Sequence, residues 1–124
     1  MQHTLLEIKN VTKQYHQKGQ PPIEALKGIT LNIYSNEIIT LLGVNGAGKS
    51  TLSSIIATLH PPTSGDIVFQ GTSIYSNLID YRSHLGFCPQ RPNLDDTLTL
   101  EQNLRFAGRF YRMTEDAIDK RLSA

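Results

Sequence analysis

The sequence predicts an α/β chain in which a small antiparallel sheet precedes a strand–loop–helix unit. Three observations lead there. Leu6 and Ile8 alternate with Glu7 and Lys9, and Ile29, Leu31 and Ile33 alternate with Thr30 and Asn32, the period of half-buried strands. Ile38-Ile39-Thr40-Leu41-Leu42 is instead almost continuously apolar, the pattern of a central strand covered on both faces. Directly after it, Leu52, Ile55, Ile56 and Leu59 recur at helical spacing.

The first two strands, around Leu6–Ile8 and Leu26–Ile33, are separated by Lys18-Gly19-Gln20-Pro21-Pro22, where glycine and two prolines oppose both helix and ladder. They are expected to run antiparallel with one face toward water. Ser35-Asn36-Glu37 reads as the turn into the apolar strand Ile38–Leu42. A helix is expected from Lys49 to about Leu59, stopped by Pro61-Pro62-Thr63-Ser64-Gly65. Ile67 and Phe69 mark a short strand, and Leu85 to Cys88 another. Thr99-Leu100-Glu101-Gln102 has capping-box spacing, followed by Leu100, Leu104, Ala107 and Tyr111 on one helix face. Thr114-Glu115-Asp116 signals a last helix, with an N-cap and acids in its first turn. Only Ile118 and Leu122 extend its apolar stripe before Ala124, so the chain is expected to be the first part of a longer domain.

Composition narrows the function classes. The 124 residues carry 12 Lys plus Arg against 11 Asp plus Glu, a net charge of +1 without a same-sign block, which argues against nucleic acid as a partner. One cysteine permits no internal disulfide and fits a reducing compartment. Met1-Gln2-His3-Thr4-Leu5 has no charged start or long apolar core, and Ile38–Val44 is too short to span a bilayer. A role at a membrane would therefore act through a partner. His3, His16, His60, His84 and Cys88 have no metal-ligand spacing.

Gly43-Val44-Asn45-Gly46-Ala47-Gly48-Lys49-Ser50 fits G-x-x-x-x-G-K-[ST], set between a predicted strand and a predicted helix. The chemistry explains the pattern. Glycines let successive amides curl around an anion, and the helix N-terminus adds partial positive charge. Lys49 is expected to meet the β- and γ-phosphates of a nucleoside triphosphate, and the Ser50 hydroxyl to join a Mg²⁺ shell completed by water and phosphate oxygens.

The surroundings of this loop resemble the ATP-binding cassette of ABC transporters. Leu6-Glu7-Ile8-Lys9-Asn10-Val11-Thr12-Lys13-Gln14-Tyr15 resembles the opening strand of the family, and Ala25-Leu26-Lys27-Gly28-Ile29-Thr30-Leu31-Asn32-Ile33 its second strand. Gly43–Leu52 is similar to its Walker A, with Val44 where Pro or Arg is commoner. Pro62-Thr63-Ser64-Gly65-Asp66-Ile67 and Leu85-Gly86-Phe87-Cys88-Pro89-Gln90 resemble the next strand and the Q-loop. The segment Asn93–Leu104 looks most like drug and lipid exporter cassettes.

The resemblance implies a P-loop NTPase core, here partial, with an antiparallel β subdomain. Residues 1–124 would be one partial nucleotide-binding domain, its helical subdomain starting at about 91. It further implies that Tyr15 stacks on adenine, that Thr51 supports the α-phosphate, and that Gln90 approaches Mg²⁺ or the attacking water. The alternatives from the residues alone are a loop tyrosine, a first-turn threonine and a solvated glutamine. Implied partners are a transmembrane permease and a second nucleotide-binding domain, giving a cytoplasmic site peripheral to the membrane. The signature motif, Walker B pair and switch histidine of the family do not occur in these residues, so the chain alone is not expected to hydrolyse ATP. Rival readings are a non-catalytic nucleotide-binding module or another P-loop NTPase such as a kinase. Asp95-Asp96 is expected as a solvated turn, Phe106, Phe110 and Tyr111 as core or interdomain packing, and Cys88 as a small buried hydrophobe.

Overall fold

In the computed structural model, which describes residues 2–44, 46 and 48–124, β1 (Thr4–Tyr15) and β2 (Ile23–Tyr34) form a long antiparallel pair, as the two alternating patterns require. Ile8 faces Leu31 across this pair and Ile67 across the next. β3 (Ser64–Phe69) adds to the other side of β1, and β4 (Thr72–Ser73) returns against β3, so the sheet order is β2-β1-β3-β4, antiparallel throughout. A bulge between Ile8 and Val11 contains Asn10 at φ 47° and resets the alternation, so that Leu6, Ile8 and Val11 are all buried. Each such aliphatic side chain stabilises the fold by roughly 1.5–3 kcal/mol relative to exposure.

α1 (Lys49–Ile56) buries Leu52 and Ile55. It ends three residues short of the expected Leu59. Thr58 adopts φ 62°, its amide bonds the Ile55 carbonyl, and the Leu59 amide bonds the Ser54 carbonyl. These two reversed bonds close the helix in a Schellman motif and leave Leu59 exposed. A 3₁₀ turn (Ile74–Ser76) and α2 (Leu78–Ser83) follow β4. Neither was expected from the sequence, because six residues are too few to display a helical period. Tyr81 of α2 is buried, donates to the Ile56 carbonyl at 2.8 Å and meets Phe69 edge-on at 5.4 Å. Burial, with a smaller contribution from Tyr75, pushes its phenol up to about 12.

The described residues divide into two units, one through Tyr81 and one from Arg82 to Ala124. In the second, α3 (Leu100–Phe110) begins in the expected capping box. The Thr99 hydroxyl accepts from the Gln102 amide, and the Gln102 side chain accepts from the Thr99 amide. α4 (Glu115–Leu122) is capped by Thr114. The two helices meet where Gly108, the buried residue of α3, faces Ile118; a Cβ there would lie 2.7 Å from Ile118 Cγ1. Arg105 bonds Asp119 and Arg109 bonds Glu115 across the same contact, while Glu101 holds Arg105 from within α3. The Arg109 bond holds the Glu115 carboxyl below its usual value. No helix among the described residues is long and apolar enough to cross a membrane.

Several expectations need correction. Ile38–Leu42 is not a strand; Ile38 is 97% and Leu42 89% exposed. Leu85–Cys88 is irregular as well. A strand makes no backbone bonds to itself, and among the described residues neither segment has a ladder partner, so apolar character alone leaves them unpaired. Cys88 is exposed rather than buried. Phe106 and Phe110 are exposed in this unit, which removes them from its core, since the α3–α4 contact runs through Gly108 and the arginines.

Candidate functional site

The loop between Gly43 and Lys49 is shaped by two glycines with different duties. Gly46 has φ +86°, and a Cβ on it would meet nothing within 4 Å. Gly48, the N-cap of α1, has φ +91°, and a Cβ on it would lie 2.6 Å from the Ala25 carbonyl oxygen and 2.8 Å from Leu26 Cδ2. The first glycine therefore serves backbone curvature in open space, while the second lets the helix start approach β2 closely. Asn45 and Ala47, both expected in the phosphate cradle, lie outside the described residues.

A helix start leaves its first amides without intrahelical partners. Among the described residues no side chain caps those of α1: Gly48 offers none, and the first turn contains no acidic residue. The contrast with Thr99 and Thr114, which cap α3 and α4, is direct. The Lys49 ammonium folds back over the loop, donating to the carbonyls of Gly43 and, at 3.3 Å, Val44. Ser50 is exposed in the first turn and Thr51 half-buried beside it. Uncapped amides, a helix dipole, one ammonium and a hydroxyl, with no carboxylate in the turn, form a donor set suited to an anion. The residues present thus fit a phosphate group, and Ser50 can give a Mg²⁺ ion one oxygen.

Tyr15 ends β1 and keeps 39% of its surface exposed. The Lys13 ammonium sits 5.4 Å from its ring centroid and donates to the Pro61 carbonyl at 2.7 Å. The same stretch of β1 is tied to the segment that leaves α1 by three further bonds. The Thr63 amide donates to the Thr12 carbonyl at 2.9 Å, the Gln14 amide to the Thr63 hydroxyl at 2.9 Å, and the Thr12 and Ser64 hydroxyls meet at 2.5 Å. The aromatic residue and the segment that leaves the C-terminal end of α1 therefore share one hydrogen-bonded frame in the first unit. Lys13 was missed from the sequence. Its signal was the two-residue spacing to Tyr15, which puts both side chains on one face of a strand.

Gln90 belongs to the second unit, exposed at a bend. Its segment is tethered three residues earlier in the chain, where the Phe87 amide donates to the Tyr111 hydroxyl at 3.2 Å. Asp95 and Asp96 are exposed, as expected of a solvated turn. Asp95 accepts from both the hydroxyl and the amide of Thr97, which hold its carboxyl below the usual range, so its lone pairs serve the turn.

Residues 26–123 match the family model described as ABC transporter. The chain belongs to the ABC transporter family. Among curated relatives, this cassette segment is 40% identical over 114 residues to ATP-binding cassette sub-family A member 7 of Rattus norvegicus, covering 92% of the chain and 5% of that protein. It is 41% identical over 98 residues to sub-family A member 2 of Homo sapiens, covering 79% and 4%. It is 40% identical over 101 residues to the phospholipid-transporting ATPase ABCA3 of Rattus norvegicus, covering 82% and 6%. Solved structures are similar along almost the whole chain. An ATP-binding subunit of an ABC transporter matches with TM-score 0.80 and 34% identity, over 96% of this chain and 48% of that one. A dimeric cassette in a post-hydrolysis state, bound to ADP and Pi, matches with TM-score 0.79 and 32% identity, over 94% and 53%. The cassette segment thus spans about a twentieth of these curated relatives and about half of the solved cassettes. The fold is that of a partial ABC-type P-loop NTPase with its antiparallel β subdomain.

Proposed function

We propose that this chain forms the ATP-binding part of an ABC transporter ATPase that powers movement of a lipid across a membrane. The observation that carries the ATP reading is the start of α1: an uncapped helix N-terminus, opened by a left-handed glycine packed on β2, with Lys49 and Ser50 in its first turn. In this reading the loop Gly43, Asn45, Gly46, Ala47 and Gly48 cradles the phosphates. Lys49 exchanges its two loop carbonyls for β- and γ-phosphate oxygens, and Thr51 supports the α-phosphate. Ser50 contributes a hydroxyl oxygen to Mg²⁺; when bound, that ion neutralises charge building on the phosphates. Tyr15 stacks on the adenine, and Gln90, whose amide can both donate and accept, faces the Mg²⁺ or attacking water.

The rest follows from kinship. The chain is one partial nucleotide-binding domain, with the helical subdomain starting at about residue 91. It works on the cytoplasmic side, peripheral to the membrane through a permease, and opposite a second nucleotide-binding domain. Support for dimeric action is the dimeric cassette among similar structures, and support for a lipid cargo is the phospholipid-transporting ATPase among similar relatives. ATP titration of the wild type and Lys49→Ala tests the nucleotide reading: the variant should lose at least tenfold in affinity, and equal affinities would refute it. Phospholipid-stimulated ATPase activity of the full-length transporter tests the cargo; stimulation by soluble drugs alone would contradict it.

A further inference from the structure

Lys13 has surroundings unusual for a surface lysine. Its ammonium lies 5.4 Å from the Tyr15 ring centroid while donating to the Pro61 carbonyl. Among the described residues no carboxylate lies in ion-pair range of it, so the ring and the carbonyl are its partners. That distance is within the roughly 6 Å at which a cation is attracted to an aromatic quadrupole. Pro61 follows α1, the helix that opens with the phosphate loop. The bonds of Thr12, Gln14 and Ser64 around this point tie the chain just after Pro61 to β1.

From this geometry we infer that Lys13 is a positioning residue for Tyr15, holding the ring from one face so that the other can receive a purine base. The inference rests on the reading of Tyr15 as the adenine-stacking residue. Two physical effects make the arrangement useful. A cation on one face draws π density toward itself, leaving the opposite face better suited to an electron-rich purine. The ring is also restrained before the ligand arrives, which lowers the ordering cost of binding. Because the ammonium is anchored on Pro61, the base platform keeps its place relative to the α1 end of the frame. The ligand class recognised is a purine nucleoside triphosphate, with Lys13 acting only on its base.

A double-mutant cycle separates this role from a structural one. ATP and inorganic tripolyphosphate, which has no base, are titrated into the wild type, Lys13→Met, Tyr15→Ala and the double variant. Methionine keeps the apolar stem and removes the charge. Lys13→Met is expected to weaken ATP about two- to fivefold, the range of an exposed cation–π contact. It should leave tripolyphosphate unchanged and add nothing in the Tyr15→Ala background. If Tyr15→Ala weakens ATP while Lys13→Met is silent, or if Lys13→Met keeps its full effect without Tyr15, the positioning role is overturned and the stacking reading stands. An equal loss of tripolyphosphate in Lys13→Met overturns it too, because the lysine would then act on the phosphates. If Tyr15→Ala is itself silent, the stacking reading falls and this inference with it.

Discussion

Replacing Gly48 by alanine should cost more than replacing Gly46, although both glycines lie in one loop at nearly the same φ. At Gly46 (φ +86°) a new methyl meets open space, so the cost is the left-handed backbone alone, about 1–2 kcal/mol. At Gly48 (φ +91°) the same strain applies, and the methyl also lands 2.6 Å from the Ala25 carbonyl oxygen and 2.8 Å from Leu26 Cδ2. The oxygen belongs to the backbone of β2, at the irregularity between the pairs Lys13–Leu26 and Gln14–Glu24, and a backbone carbonyl cannot step aside as the end of a flexible side chain would. Overpacking of this kind typically adds about 1–3 kcal/mol, for a total of roughly 2–5 kcal/mol. Urea unfolding of the two variants, with equal slopes, measures the difference directly. Gly48→Ala should also weaken ATP more than Gly46→Ala, since the first amides of α1 would be displaced from β2. Equal stabilities, or a more damaged Gly46→Ala, would refute the assignment of separate duties.

Other perturbations give sharp outcomes. Tyr15→Ala should weaken ATP about tenfold, the effect of ~1–3 kcal/mol of base stacking, whereas Tyr15→Phe and Tyr15→Trp should bind normally; three equal affinities would return Tyr15 to a packing role. Gln90→Ala should leave ATP affinity near wild type but lower ATPase turnover in the full-length transporter, and an unchanged turnover would contradict its role. The Tyr81 phenol titrates near 10.0 when unfolded and near 12 when folded, so the folded state holds this proton more tightly. Its contribution is intact below pH 10 and fades as pH rises toward 12, at most about 2–3 kcal/mol. Tyr81→Phe should flatten the alkaline limb of a stability–pH curve; an unchanged limb would show that other groups govern it.

The sequence was most legible where local chemistry decides structure. Alternation at Leu6–Ile8 and Ile29–Ile33 predicted the antiparallel pair, and the hydroxyls of Thr99 and Thr114 predicted the two caps, because each depends on residues close in the chain. It was least legible where structure depends on distant partners. Ile38–Leu42 has the composition of a central strand, yet a strand exists only with neighbours to bond, and none lies beside it among the described residues. Thr58 and Arg112 end their helices in the left-handed region usually left to glycine, which gives no forward signal in sequence. In the candidate site the glycines and Lys49 were readable from spacing. The approach of Gly48 to Ala25 was not, and neither was the contact of Lys13 with Pro61, since both join residues more than twenty positions apart.

Nucleotide binding at the start of α1 can be observed residue by residue. Amide chemical shifts of the ¹⁵N-labelled protein, recorded as Mg²⁺–ATP is added, should move most at Gly46, Gly48, Lys49, Ser50 and Thr51, with the ring protons of Tyr15 following and the amides of α4 unmoved. The same shifts should be absent in Lys49→Ala at equal nucleotide concentration. If saturating ATP leaves the amides of Gly48 to Thr51 in place, or moves them equally without Lys49, this loop is not where the protein holds its nucleotide.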